Sequence, residues 1–395
     1  MLLLCGISAL FLYSCSREIR IEANKTGRNG SLTESTLGRN KTTLRLYLEN
    51  SGSMDGYMCD GSDLKNAVYS YASDLSQHIR TSELYYINTK TIPYRKELRS
   101  YIKELTPSSF RQASGNRTSS DIERILTSIL KDVNDTTISI LVSDCILDLQ
   151  VKDSKKFLEE TKISIKNIIS QKLRSMPSLG IEILKMESVF EGKYYYPDGG
   201  TDFLADVKRP YYLWIFGNKN ILAELNQLYP IDDIGYGYQN SVSFAKQTKL
   251  AYEVTNYHST GQICKPSKNG NYQIRIYADF KPALIEKDKI SDPANYSSTS
   301  PDIKITGIEP IKNKATQYTH VINVEIRQNA NIKNASINFE LSKTPEWVKE
   351  TNDTTGANIR QNIDKTTGIK YLIDGVAEAY GNKQAQASFP FSIEN

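Results

Sequence analysis

Apolar positions keep two different rhythms along this chain, and the change falls near residue 240. Leu44-Arg45-Leu46-Tyr47-Leu48 alternates and then enters a Gly/Ser turn, which predicts a strand. Leu64, Ala67, Val68, Tyr71, Ala72 and Leu75 recur at helical spacing, which predicts a helix over 64–79. A short strand over 83–87 and a helix over 95–105 follow. The next helix, over 120–133, carries Ile122, Ile125, Leu126, Ile129 and Leu130 on one face. Thr137-Ile138-Ser139-Ile140-Leu141-Val142 is a β-branched run of the kind found in strands buried on both faces. A helix over 156–175, strands over 180–189 and 211–216, and a helix ending at 229 complete the series. Residues 191–208 read as a loop excursion between the last two strands.

Strands alternating with helices predict an α/β domain over 42–238: a doubly wound, mostly parallel sheet with ligands at the carboxyl ends of its strands. Beyond it, period-two alternation takes over at 272–280, 321–327, 335–341 and 386–393, separated by Asn, Ser, Pro and Gly clusters. That pattern predicts an antiparallel, immunoglobulin-like β-sandwich region over 239–395, as one domain or as two with a break near 291–301.

The amino terminus adds a location. Leu2, Leu3, Leu4, Ile7, Leu10, Phe11 and Leu12 form an apolar stretch shorter than the ~20 residues a membrane-spanning helix requires. It ends in Leu12-Tyr13-Ser14-Cys15, which resembles a bacterial lipoprotein signal over 1–15. By that resemblance Cys15 becomes the first residue of the mature protein and carries the lipid. Residues 16–41, polar and rich in Asn, Gly, Ser and Thr, then read as a flexible tether. The expected place is the cell envelope, held by lipid at the outer membrane or cell surface.

Composition narrows the function classes. With 49 basic against 45 acidic residues, the net charge of +4 is too mild for a nucleic-acid partner. The 25 Tyr and 11 Phe argue against wholesale disorder. Five scattered Cys and three His exclude a disulfide scaffold and a zinc ribbon.

The chemistry concentrates beyond the first strand. Glu49-Asn50-Ser51-Gly52-Ser53-Met54 sets a carboxylate and two hydroxyls at alternate positions, which suits a hard divalent cation. Here the chain resembles a von Willebrand factor A domain, whose metal-ion-dependent adhesion site begins Asp-x-Ser-x-Ser. The resemblance implies two further ligands. One is a hydroxyl from a second loop: Ser120 by spacing to the helix, Thr118 by residue type. The other is Asp144, directly after the buried strand. Glu49 departs from the leading Asp by one methylene, which leaves a water-bridged Mg²⁺, a shift toward Ca²⁺ or Mn²⁺, and a metal-free site all open. A filled site of this type offers an open position to a ligand. Asp55, Tyr57, Met58 and 194–196 are expected near its mouth.

No catalytic arrangement competes with that reading. His78, His258 and His320 lie in separate segments, and neither a Gly-x-Ser-x-Gly elbow nor a Gly-x-x-x-x-Gly-Lys loop occurs. A hydrolase resting on paired carboxylates is the third-ranked reading, with no substrate indicated. The expectation is a non-enzymatic, membrane-anchored lipoprotein that binds a protein or surface ligand, its Lys-, Asn- and Tyr-rich composition resembling Bacteroidota surface proteins. The alternative is a metal-free component of an envelope assembly whose β region makes the main interface.

Overall fold

The change of rhythm near residue 240 separates two bodies, and the chain passes between them more than once. The computed structural model describes residues 18–23 and 42–394, apart from 80, 114, 119–120, 150, 152, 245–249, 282–284, 286, 314, 329, 342–343 and 382–384. Cys15 and Ser120 therefore lie outside the described residues. Among the described residues no helix is long and apolar enough to cross a membrane.

Five residues of the expected tether are a strand. Ile19–Ala23 (β1) has the burial pattern of a sandwich strand and pairs with two others far along the chain. The tether expectation over 16–41 is corrected at these positions. Ile19, Ile21 and Ala23 alternate with Arg20 and Glu22, so one face is buried.

The first body is built on Thr43–Glu49 (β2), Thr81–Ile87 (β3), Thr91–Tyr94 (β4), Thr137–Ser143 (β5), Leu179–Tyr195 (β6), Thr201–Asn218 (β7) and Tyr238–Ser243 (β8). They form one mixed sheet in the order β4-β3-β2-β5-β7-β6-β8. Only the β3–β2 and β2–β5 pairings at its centre are parallel; the others are antiparallel. The expected mostly parallel sheet is corrected to a mixed one, because β6 and β7 are joined by a tight turn rather than a crossover. That hairpin also replaces the loop expected over 191–208. Lys193 pairs with Phe203 and Tyr195 with Thr201, and only Tyr196–Gly200 turn, with Gly199 at φ 84°.

Helices cover both faces. Asp63–Ser76 (α1) is followed by the short Leu98–Lys103 (α2) and Pro107–Arg111 (α3), where one longer helix is expected over 95–105. Ile122–Asp132 (α4), Ser154–Ser175 (α5) and Lys219–Leu228 (α6) complete the series. α1 and α6 pack with Leu44, Leu46 and Leu48 on one face; α4 and α5 pack with Tyr47, Leu141 and Trp214 on the other. Every residue of β5 is buried, as its β-branched run demands.

The second body is a single sandwich among the described residues. Its strands are β1, Tyr252–Asn256 (β9), Ile263–Cys264 (β10), Tyr272–Ala278 (β11), Tyr296–Ser298 (β12), Ile303–Pro310 (β13), His320–Ile326 (β14), Asn334–Glu340 (β15) and Ala385–Glu394 (β18). One sheet runs β10-β1-β18-β15-β12 and the other β13-β14-β11-β9. Ile21, Ile274, Val324, Phe339 and Phe391 share its core.

Between β15 and β18 the chain leaves the sandwich. After Lys287–Ser291 (α7) in the sandwich region come Glu346–Glu350 (α8) and Ile369–Ala379 (α9), with the parallel pair Asn352–Asp353 (β16) and Thr366–Thr367 (β17) between them. Trp347, Leu372, Ile373 and Val376 join the α4–α5 core of the first body. Assigning all of 239–395 to the sandwich is thus corrected: 345–380 completes the α/β layer, since its apolar stripe has helical rather than alternating spacing.

Candidate functional site

Parallel β2 and β5 end side by side, and both carry their acids to the same pole of the sheet. Glu49, the last residue of β2, and Asp144, the first after β5, are both buried. The Ser143 hydroxyl donates to the Glu49 carboxylate and accepts from the Cys145 amide at 2.8 Å. Asp144 Oδ1 accepts from the Ile146 amide at 3.3 Å, while its buried Oδ2 has no hydrogen-bond partner. Burial, with the Glu49 charge beside it, pushes the Asp144 carboxyl up to about 7; the nearby Ser53 hydroxyl and Arg209 guanidinium oppose that rise. Two buried carboxylates with an unanswered oxygen are costly unless something positive lies between them.

The loop after β2 supplies the hydroxyls. Ser51 and Ser53 Oγ atoms stand 3.0 Å apart. Their turn is pinned from below: Tyr57 donates to the Pro210 carbonyl at 2.6 Å, and Met54, Tyr57 and Met58 are buried. Gly56 is required here, because a Cβ would stand 2.4 Å from the Phe190 ring. Asn50 Nδ2 donates to the Phe110 carbonyl at 2.6 Å, and Arg117 Nε donates to Asn50 Oδ1 at 2.8 Å. Asp55, expected at the mouth, is spanned by Arg117 and by Arg111, whose Nε lies 2.8 Å from Oδ2.

Four of the sequence-derived ligand candidates, Glu49, Ser51, Ser53 and Asp144, therefore converge. Thr118 reaches the same cavity, but its hydroxyl donates to Asn116 Oδ1 at 2.7 Å. Asp121 next to it caps α4, accepting from the Arg124 amide at 3.0 Å.

Above the hydroxyls opens a cavity of about 410 Å³, lined among others by Ser51, Ser53, Thr118, Tyr195, Tyr196 and Thr367. Of the tyrosines expected at the mouth, Tyr194 is buried, while Tyr195 is 47% exposed and leans over Gly52. One wall comes from the excursion out of the sandwich. Leu147 N donates to the Thr367 carbonyl at 3.1 Å, and the Tyr194 hydroxyl donates to the Gly356 carbonyl at 3.1 Å. Nothing in the sequence around Ser51 points to that wall.

Arg209 is the other residue that the sequence reading misses. It is 2% exposed, lies over the Tyr194 ring at 5.1 Å and the Phe190 ring at 5.7 Å, and its Nη1 has no hydrogen-bond partner. Alternation along β7 carries the signal: Val207, Arg209 and Tyr211 share one side of the strand, and Tyr211 is core.

Among the described residues no group of three or more His, Cys, Asp or Glu is placed to hold a metal, so any cation here relies on hydroxyls as well as carboxylates. Compared with known proteins, the chain matches no family model, no curated protein and no solved structure.

Proposed function

We propose that this protein binds a divalent cation at the pole of its mixed sheet and uses it to hold a protein or surface ligand without catalysis. The observation that carries this reading is the pair of buried acids on adjacent strands, Glu49 and Asp144, with the Ser51 and Ser53 hydroxyls 3.0 Å apart beside them. Hard oxygen donors of this kind fit Mg²⁺, Ca²⁺ or Mn²⁺. Glu49, Ser51, Ser53 and Asp144 would hold the ion, which would supply a Lewis-acidic position toward the cavity. The resemblance to a von Willebrand factor A domain, and lipid anchoring to the cell envelope through Cys15, belong to the same proposal.

The test is calorimetric titration of Mg²⁺, Mn²⁺ and Ca²⁺ into the full-length chain and into Asp144→Ala. Binding of one ion to the former and none to the latter supports the reading. Absence of binding by all three, with and without a carboxylate present, overturns it. That result would favour a metal-free component of an envelope assembly, a reading to which the buried Arg209 beside Asp144 lends support.

A further inference from the structure

We infer that Arg209 makes the cation and an anionic ligand bind as a pair, so that neither is held firmly alone. The inference rests on the cation reading above and assigns a role to a residue outside the ligand set. Asp144 is flanked by two further charged groups, Glu49 and Arg209, and all three are at most 2% exposed. The guanidinium is fixed between the Phe190 and Tyr194 rings and interacts electrostatically with both Asp144 and Tyr57. It cannot swing to solvent without breaking that stack. When both acids are ionised the three fixed charges sum to one negative.

A divalent ion placed there leaves one net positive charge in poorly solvated surroundings. Such a charge is expensive, because neighbouring water cannot screen it. The charges nearest the cavity mouth offer little relief. Asp55 is already spanned by Arg111 and Arg117, and Asp148, the other carboxylate on the cavity wall, is exposed, so water screens its charge. An anion entering through the cavity would cancel the excess and sit on the open side of the cation. Cation and anion would thus raise each other's affinity by the same factor, as linkage demands. At an effective dielectric near 20 such a coupling reaches about tenfold even with the charges roughly 12 Å apart, and grows as they approach.

The site would then report coincidence, retaining its ion chiefly when a partner's acidic group is present. Arg209 acts as a positioning and charge-setting residue, with no direct bond to either ligand. Its test has a readout that a purely structural arginine would not move: whether Mn²⁺ affinity depends on an added anion.

Mn²⁺ affinity of the full-length chain would be measured by calorimetry at matched free Mn²⁺, in buffer alone, with acetate, and with acetamide as the neutral isostere. Acetate is expected to tighten Mn²⁺ binding about tenfold and acetamide to leave it unchanged. Arg209→Met should bind Mn²⁺ about tenfold more tightly in buffer alone and lose the acetate effect, while Arg209→Lys keeps it. The wild-type comparison of acetate with acetamide stands even if Arg209→Met does not fold. Equal wild-type affinity in all three buffers overturns the inference and leaves the cation reading intact. No Mn²⁺ binding in any buffer overturns the cation reading and this inference with it.

Discussion

Glu182→Gln should stabilise the α/β body above neutral pH and do much less at pH 5. Glu182 lies on β6, 2% exposed, where Asn226 Nδ2 donates to Oε1 at 2.9 Å and Oε2 has no partner. Burial pushes its carboxyl from 4.5 up to about 7, with the Asn226 hydrogen bond opposing the rise only in part. The folded state therefore keeps a proton that the unfolded chain has already released. Between pH 4.5 and about 7 the native state binds more protons than the unfolded one, so stability falls as pH rises through that window. At 1.36 kcal/mol per unit, the accumulated cost above neutrality has a ceiling of about 3 kcal/mol. Glutamine keeps the acceptor that Asn226 needs and carries no charge, so it removes that cost. Urea unfolding at pH 5, 6, 7 and 8 would be followed by the fluorescence of Trp214 and Trp347, both packed in this body. The expected difference between variant and wild type grows from about 1 kcal/mol at pH 5 to about 3 kcal/mol at pH 8. A difference that stays constant across that range would refute the reasoning, since it would mean the carboxylate is ionised and satisfied throughout.

Three further substitutions probe the packing described above. Gly56→Ala drives a methyl to 2.4 Å from the Phe190 ring; overpacking of this kind costs about 1–3 kcal/mol. It should also weaken cation binding, measured by the same titration, because the Ser51–Ser53 loop must shift. Gly375→Ala sets a Cβ 2.6 Å from the Lys162 carbonyl and should pry α9 from α5. Trp347 fluorescence should then report unfolding at lower urea, by about 1–3 kcal/mol. Ile21→Ala empties a fully buried place in the sandwich core. A loss of about 2–4 kcal/mol is expected in the sandwich's thermal transition by calorimetry. An unchanged transition would mean β1 does not hold its place between β10 and β18.

Where a segment's own spacing determines its element, the sequence is informative. Leu44, Leu46 and Leu48 alternate and form a strand; Ile122, Ile125, Leu126 and Ile129 share a helix face and form α4. What spacing does not carry is the identity of neighbours. Lys193-Tyr194-Tyr195 looks like a loop until Thr201 to Phe203 is seen pairing with it. Ile19 to Ala23 is too short to declare itself a strand without β18 beside it. Ile369, Leu372, Ile373 and Val376 do carry a helical stripe, and it is obscured only by the period-two segments on either side. The same division holds at the site. Glu49, Ser51, Ser53 and Asp144 are legible because each ends or follows a strand in the central parallel layer. The Thr367 wall is illegible because it arrives from more than 200 residues along the chain, after the sandwich strands, and the Thr118 hydroxyl is committed to Asn116 by a local turn that residue type alone does not reveal.

The excursion over 345–380 also governs the order in which this protein can be made. A chain emerging from its amino terminus delivers β1 first, yet β1 needs β18, the last strand, to lie against. The α/β layer in turn waits for α9 before the α5 surface is covered. Neither body can close until residues 369–394 have been made, so the two mature together. Cleavage anywhere between residues 244 and 368 parts α9 from α5 and β1 from β18, so neither fragment holds a finished body. Premature termination should therefore produce material that is recognised and degraded rather than a shorter working protein.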